Sequence, residues 1–273
     1  MKRIISVVLF VLLSCSLQAQ TWTPATSPTP EPATVSLLSD NPQASLLKMS
    51  VPGFSSSVVA TPAGDRQVIT IQGSTRILRK GAPDLPKLTA SLIIPDESSM
   101  GLVITQSAYV EYTNIDIAPS KGNFTRDINP ADVPYEWGID YSKDQFFPGP
   151  LAELKDPFIL RDLRGQTVVF YPYQYNPVTK VLRVYTSMEV SVSPNGSTAT
   201  NTFNRTKALA ALDPEFAEIY HHQFLNFSTR HKYTPLSENG KMLIISHGSF
   251  IPAMQAFVNW KITEGIPTEI VDV

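Results

Sequence analysis

The sequence predicts a mostly β protein: an antiparallel β-sandwich, then a short helix, then the first strands of an α/β unit. Three observations carry that expectation. Along residues 181–193, Leu182, Val184, Met188, Val190 and Val192 share one face with Thr186, while Arg183, Ser187, Glu189, Ser191 and Ser193 dominate the other. Period-two alternation of this length describes a long strand with one solvated face. Residues 115–178 are rich in Pro, Gly and aromatics and lack an apolar run at helical period; the chain's 23 prolines favour loops and strand ends over long helices. After Met242 the character changes to a compact apolar strand, MLIIS, followed by a helix and a second strand, TEIVDV.

In chain order, residues 1–19 read as a secretory signal. Lys2 and Arg3 form the charged region and Ile4 to Leu13 a short apolar one. Leu17-Gln18-Ala19 supplies the cleavage site, between Ala19 and Gln20. The apolar stretch is too short to span a bilayer, and no later stretch is apolar enough to try. The alternative is a lipoprotein signal ending at Cys15, for which the leucine before Ser14 is atypical. Cys15 is the sole cysteine, so cleavage after Ala19 leaves no disulfide and no thiol nucleophile.

Residues 20–44 are dominated by Pro, Thr, Ser and Ala and read as an extended linker with too little apolar surface to offset chain entropy. Residues 45–200 read as the β-sandwich, with strands at 67–73, 91–94, 102–112 and 168–171, then a hairpin turning at Asn176-Pro177-Val178-Thr179. Residues 201–238 form a helix-containing connection. Asp213-Pro214-Glu215 has the cap, the first-position proline and the acidic first turn of a helix. Phe216, Ile219, Tyr220, Phe224 and Phe227 follow as one amphipathic face. Residues 239–273 open a βαβ unit, in which Pro252 starts a helix, Phe257 and Trp260 point one way, and Gly265 ends it. One crossover is short of a domain, so this piece is expected to be the truncated start of one. Charged residues make up 17% of the chain and the net charge is −2, so neither a nucleic-acid field nor a polybasic membrane patch is indicated.

Within the Pro/Gly-rich stretch, PSKGNFTRDINP sets Arg126 between a Gly turn at Lys121-Gly122 and a stop at Asn129-Pro130. This is a loop that presents a basic side chain. GAPDLP, IAPSKG, FFPG, DPFILRDLRGQ and YNPVTKVLRVY, in this order, resemble the propeptide of gingipain-type cysteine endopeptidases, the arginine-specific ones in particular. KYTPLSENGKMLII, FVNWK and TEI resemble the junction and first β-α-β of their catalytic domain. The resemblance spans about residues 65–273.

The resemblance implies a β-sandwich prodomain that assists folding and keeps a cognate protease catalytic domain latent, in cis in the full precursor. It also implies that residues 239–273 begin a caspase-like α/β domain. The catalytic Cys and His of such an enzyme are absent, so no catalytic residue is expected here and the chain alone should be inactive. Arg126 matches the arginine that occupies the S1 specificity pocket in latent enzymes of this type, with Lys121 as the fallback. Tyr233 resembles the first residue of the mature enzyme; Lys232 stands where the arginine-specific members carry Arg, and Arg230 lies two positions earlier. Processing is therefore expected near Arg230, Lys232 and Tyr233, and the protein is expected outside the cell or at its surface.

Other constellations carry less. His221, His222 and His231 lack metal-ligand spacing, and neither a metal nor a cofactor is expected. His247-Gly248-Ser249 suggests a hydrolase but lacks a nucleophile elbow. Trp137, Tyr135 and Tyr141 read as sandwich aromatics rather than a ligand platform. The competing functional reading is a secreted β-sandwich that binds glycans or a surface partner and has no protease.

Overall fold

The computed structural model describes residues 20–197, 200–205, 212–230 and 240–273. They divide into two units between Phe203 and Asn204. The first unit is built of antiparallel strands in three sheets, as the alternation predicts. In the first sheet β1 (Thr21–Pro24), β4 (Gly53–Thr61) and β5 (Gly64–Thr70) run in the order β1-β4-β5; β2 (Thr34–Asp40) and β3 (Ser45–Ser50) belong elsewhere. The second sheet centres on β7 (Pro86–Ile93) and β11 (Leu163–Phe170). It also holds β6 (Thr75–Arg76), β9 (Ala152–Leu154) and β10 (Phe158–Leu160). The third sheet is organised by β13 (Val181–Ser197), paired along its length with β8 (Ser98–Tyr112). The other edge of β13 pairs with β12 (Tyr173–Asn176) and β3, and β3 with β2.

The inward row of β13 is as the sequence predicts at Leu182, Val184, Met188, Val190 and Val192, each at most 1% exposed. Thr186 is the exception. The ladder to β8 shifts between Tyr185 and Ser187, and Thr186 sits in that bulge, half-buried, while Tyr185 turns into the core. An inserted residue of this kind bends a long strand without ending it. The inward residues of all three sheets join one buried cluster, from Leu47, Met49 and Phe54 through Leu92, Val168 and Phe170 to Tyr173 and Tyr175.

The Pro/Thr/Ser-rich segment 20–44 is not a free linker in the structure: it supplies β1 and β2. Both are edge strands, which need few apolar residues because only one side is paired and one face covered. Pro24 ends β1, a place where a missing N–H costs no ladder bond. Trp22 packs on the core and donates its indole N–H to the Ser27 carbonyl at 3.2 Å. Gly53 makes that approach possible, since a Cβ there would lie 2.6 Å from the Trp22 ring.

Arg164, on β11, is 0% exposed and is a structural pin that composition does not announce. Its guanidinium donates to the carbonyls of Pro95 (2.6 Å), Ser98 (2.8 Å), Asn201 (2.7 Å) and Thr200 (3.1 Å). Four acceptors offset its desolvation and tie the start of β8 and the chain after β13 to the second sheet.

In the second unit, Asp213 caps α1 (Pro214–Gln223) by accepting from the Glu215 N–H at 2.9 Å, as the sequence predicts. The single helix expected to run on to Phe227 breaks instead. Phe224 is extended, and α2 (Phe227–Arg230) starts anew. Buried Asn226 starts this second turn, its carbonyl accepting from the Arg230 N–H and the Thr229 hydroxyl. The break still lets Phe224 and Phe227 close on Tyr220, at ring distances of 6.3 and 5.8 Å, while Ile219 is exposed.

Further on, β14 (Met242–Ser246), α3 (Ile251–Thr263) and β15 (Thr268–Asp272) form a β-α-β crossover whose strands pair in parallel. Gly265 ends α3 at φ +86. Leu243, Ile245 and Trp260 are each more than half exposed there. No helix among the described residues is long and apolar enough to cross a membrane.

Replacing Leu47, fully buried on β3, by Ala should lower the unfolding free energy by about 2–5 kcal/mol, read from urea titration. The buried phenols predict an alkaline limit. Burial, helped by Asp116, pushes the Tyr175 phenol up to about 12; burial raises Tyr141 and Tyr173 as well. Because these folded-state values lie above the unfolded value near 10, their contribution is complete below about pH 10 and is lost as pH rises beyond it. Ultraviolet titration should therefore show these three ionising only together with cooperative unfolding, after the exposed tyrosines.

Candidate functional site

The loop that carries Arg126 begins where the chain leaves β8 and enters a zipped foot. Asp116 accepts from the Gln67 N–H at 2.7 Å, and the Ala118 N–H donates back to Gln67 at 2.8 Å. The Ala118 carbonyl then accepts from Asp84 N–H (3.0 Å), Ser120 N–H donates to Ala82 (2.7 Å), and Gly81 N–H donates to Ser120 (2.9 Å). Ile117 and Ala118 are fully buried. Gly122, buried at φ +96, turns the chain outward; a Cβ there would stand 3.2 Å from the Lys80 Cβ. Both the left-handed backbone and the crowding call for glycine.

Beyond Gly122 the chain is exposed through Pro130, apart from half-buried Phe124. The Ile128 N–H donates to the Thr125 carbonyl at 3.2 Å, closing a four-residue turn with Arg126 and Asp127 at its centre. Asp127 has its carboxyl held below the usual carboxylate range by the Thr125 hydroxyl and then by its own backbone N–H. Asn129 accepts from the Ala131 N–H at 3.1 Å and starts a 3-10 turn over Pro130–Asp132. The return path is anchored by the Gly138 N–H on the Gly81 carbonyl (2.8 Å), the Lys80–Glu136 ion pair (3.0 Å) and the Tyr141 hydroxyl on the Ile117 carbonyl (2.9 Å).

Arg126 is exposed, and among the described residues no hydrogen bond, ion pair or ring holds its guanidinium. Lys121 is different. Its ammonium donates to the Pro130 carbonyl at 2.9 Å and lies 4.3 Å from the centre of the Tyr135 ring. The structure therefore separates the two basic candidates: one side chain reaches outward and the other is engaged within its own loop. Arg230 ends α2, half-buried. Gln20 is exposed next to β1, whereas Ala19, Lys232 and Tyr233 lie outside the described residues.

No group of three or more His, Cys, Asp or Glu able to hold a metal occurs among the described residues. Exposed His247 accepts from the Ser249 N–H and lies 2.9 Å from the Ser249 hydroxyl, so the pair caps the turn Gly248–Phe250. Trp137, Tyr135 and Tyr141 do not form a buried row: Trp137 is 36% exposed and Tyr135 bears on Lys121. Sequence reasoning missed Tyr135 as the partner of Lys121, since a contact across fourteen residues of loop leaves no periodic signal.

An antiparallel sandwich that projects an exposed basic side chain on a braced turn is the geometry expected of a propeptide-type binding domain. The comparisons agree: the chain belongs to the Propeptide_C25 family, whose model matches residues 26–227. It is 41% identical over 214 residues to gingipain R1 of Porphyromonas gingivalis, covering 78% of this chain and 21% of that protein. Gingipain R2 of the same organism (strain ATCC BAA-308 / W83) is 39% identical over 238 residues, covering 86% of this chain and 32% of the relative. The chain thus spans about a fifth to a third of the length of these curated relatives. A solved complex of Porphyromonas gingivalis RgpB pro- and mature domains contains a chain with 38% identity and a TM-score of 0.66, covering 75% of this chain and 100% of that one. The match from residue 26 also places most of the segment read as a linker inside the family domain.

Replacing Gly122 by Ala should destabilise the loop foot by about 1–2 kcal/mol, from left-handed backbone strain and the Lys80 contact. Urea unfolding of the variant checks this; an unchanged midpoint would show that the foot tolerates a side chain.

Proposed function

We propose that this chain is the N-terminal propeptide part of a secreted gingipain-like cysteine endopeptidase zymogen, and that it keeps the catalytic domain latent by placing Arg126 in its S1 pocket. The observation that carries this reading is the exposed, unpartnered guanidinium at the centre of a turn whose two feet are hydrogen-bonded into the sandwich. No cysteine follows Cys15, so residues 20–230 supply no thiol nucleophile, and in this reading they bind and restrain. Support for a catalytic-domain partner comes from the RgpB complex, in which the pro- and mature domains of a similar protein were solved together.

The chemistry suits the task. A guanidinium offers a planar fork of donors that matches a pocket carboxylate, and stripping one partner from such a buried pair costs roughly 2–5 kcal/mol. While the two domains share one chain, the pocket sees Arg126 at an effective concentration of order mM, so modest intrinsic affinity maintains latency. Cleavage near Arg230, Lys232 or Tyr233 removes that advantage. The exposed apolar residues Leu243, Ile245 and Trp260 of the β-α-β piece are surfaces that further elements of an α/β catalytic domain would cover. Residues 1–19, as a signal peptide, would direct the zymogen out of the cell.

The test is inhibition of a mature gingipain R domain by the chain added in trans. Arg126→Ala should raise the inhibition constant at least tenfold and Arg126→Lys by less, since lysine keeps the charge but loses the fork. Equal inhibition by wild type and Arg126→Ala would remove Arg126 from the mechanism.

A further inference from the structure

We propose that Lys121 is a positioning residue, a clasp that closes the Arg126 loop on itself, and not a second bait. This deepens the reading above and rests on it where inhibition is concerned. Both ends of the loop are fixed by the sandwich, but at unequal distances from the tip. On the incoming side the last tether is Ser120, bonded to Ala82 and Gly81 and accepting the Gly122 N–H on its hydroxyl. On the outgoing side the first tethers are the Lys80–Glu136 ion pair and the Gly138 bond to Gly81. Without a further contact the suspended chain would run from residue 123 to 135.

Lys121 shortens that span. Its ammonium spends one donor on the Pro130 carbonyl at 2.9 Å and sets its charge over the face of Tyr135 at 4.3 Å. The two contacts catch the outgoing chain at the first residue of the 3-10 turn Pro130–Asp132 and again three residues past its end. The free segment then shrinks to residues 123–129, within which the Thr125–Ile128 turn and the Asn129 cap act locally. A shorter closed loop has fewer conformations, so the Arg126 guanidinium explores fewer positions before it meets a pocket. The same two contacts argue against Lys121 as bait, because entering a pocket would break a charge-assisted hydrogen bond and a cation–π contact together.

The test uses the full chain with Lys121→Met, which keeps most of the apolar stem and loses the charge and the donors, and Lys121→Arg, which keeps both. Amide hydrogen exchange of Ile128, the donor that closes the turn, should quicken by about tenfold in Lys121→Met and return toward wild type in Lys121→Arg, with the urea midpoint unchanged. Against the mature RgpB domain, Lys121→Met should raise the inhibition constant about three- to tenfold, and should add nothing in an Arg126→Ala background. Ile128 exchange unaltered by Lys121→Met would overturn the clasp. So would a Lys121→Met effect on inhibition that persists undiminished with Arg126→Ala, since Lys121 would then touch the protease itself. If Arg126→Ala inhibits as wild type does while exchange at Ile128 still follows Lys121, the clasp stands and only the bait reading falls.

Discussion

Five backbone hydrogen bonds decide where Arg126 can be. They join residues 116–120 to Gln67 on β5 and to residues 81–84 ahead of β7, so the foot of the loop is held by two separate parts of the sandwich. Ile117, Ala118, Ala82 and Leu85 are buried at this seam, and water has little access to compete for those bonds. A loop on such a foot can be exposed without being loose. That combination lets one chain carry a stable core and an unpaired guanidinium in direct succession, a few residues apart.

How much of this was legible in the sequence depends on the range of the signal. β13 was readable because alternation is a local property, and its one departure, the bulge at Thr186, depends on a ladder shift that only the partner strand β8 reveals. The Arg126 loop was readable as a loop because Gly122 and Pro130 punctuate it. Its foot was not, since the pairing of Gln67 with Ile117 spans a sequence distance that periodicity does not sense. Arg164 escaped notice for a related reason: its acceptors are four main-chain carbonyls, and a carbonyl has no residue type. The 20–44 segment was misread because composition measures how much apolar surface a stretch could bury alone, whereas β1 and β2 borrow a core built by their neighbours. The helix expected through Phe227 stops at extended Phe224, and buried Asn226 begins the next turn with its carbonyl accepting two bonds, a local switch that helical spacing of the apolar residues does not register.

The division of labour between the basic residues follows from their surroundings. Arg76, Arg79, Lys80, Lys143 and Lys155 all have carboxylate partners in the first unit. Arg183 lies between the Tyr109 and Phe146 rings and pairs with Glu111, and Arg164 is pinned in the interior. Against that background the Arg126 guanidinium is exposed and without a partner among the described residues, which is why the proposed bait role falls to it. Its neighbour Asp127 has its carboxyl held below the usual carboxylate range by the Thr125 hydroxyl and then by its own backbone N–H.

The most direct measurement is double-inhibition kinetics on a mature gingipain R domain with this chain and benzamidine, a small amidine that mimics the arginine head group, present together. If Arg126 fills the specificity pocket, the two must exclude each other and the reciprocal-rate plots against chain concentration will run parallel at every benzamidine level. Intersecting plots, meaning that both bind at once, would contradict the account, because the pocket would then be empty in the latent complex.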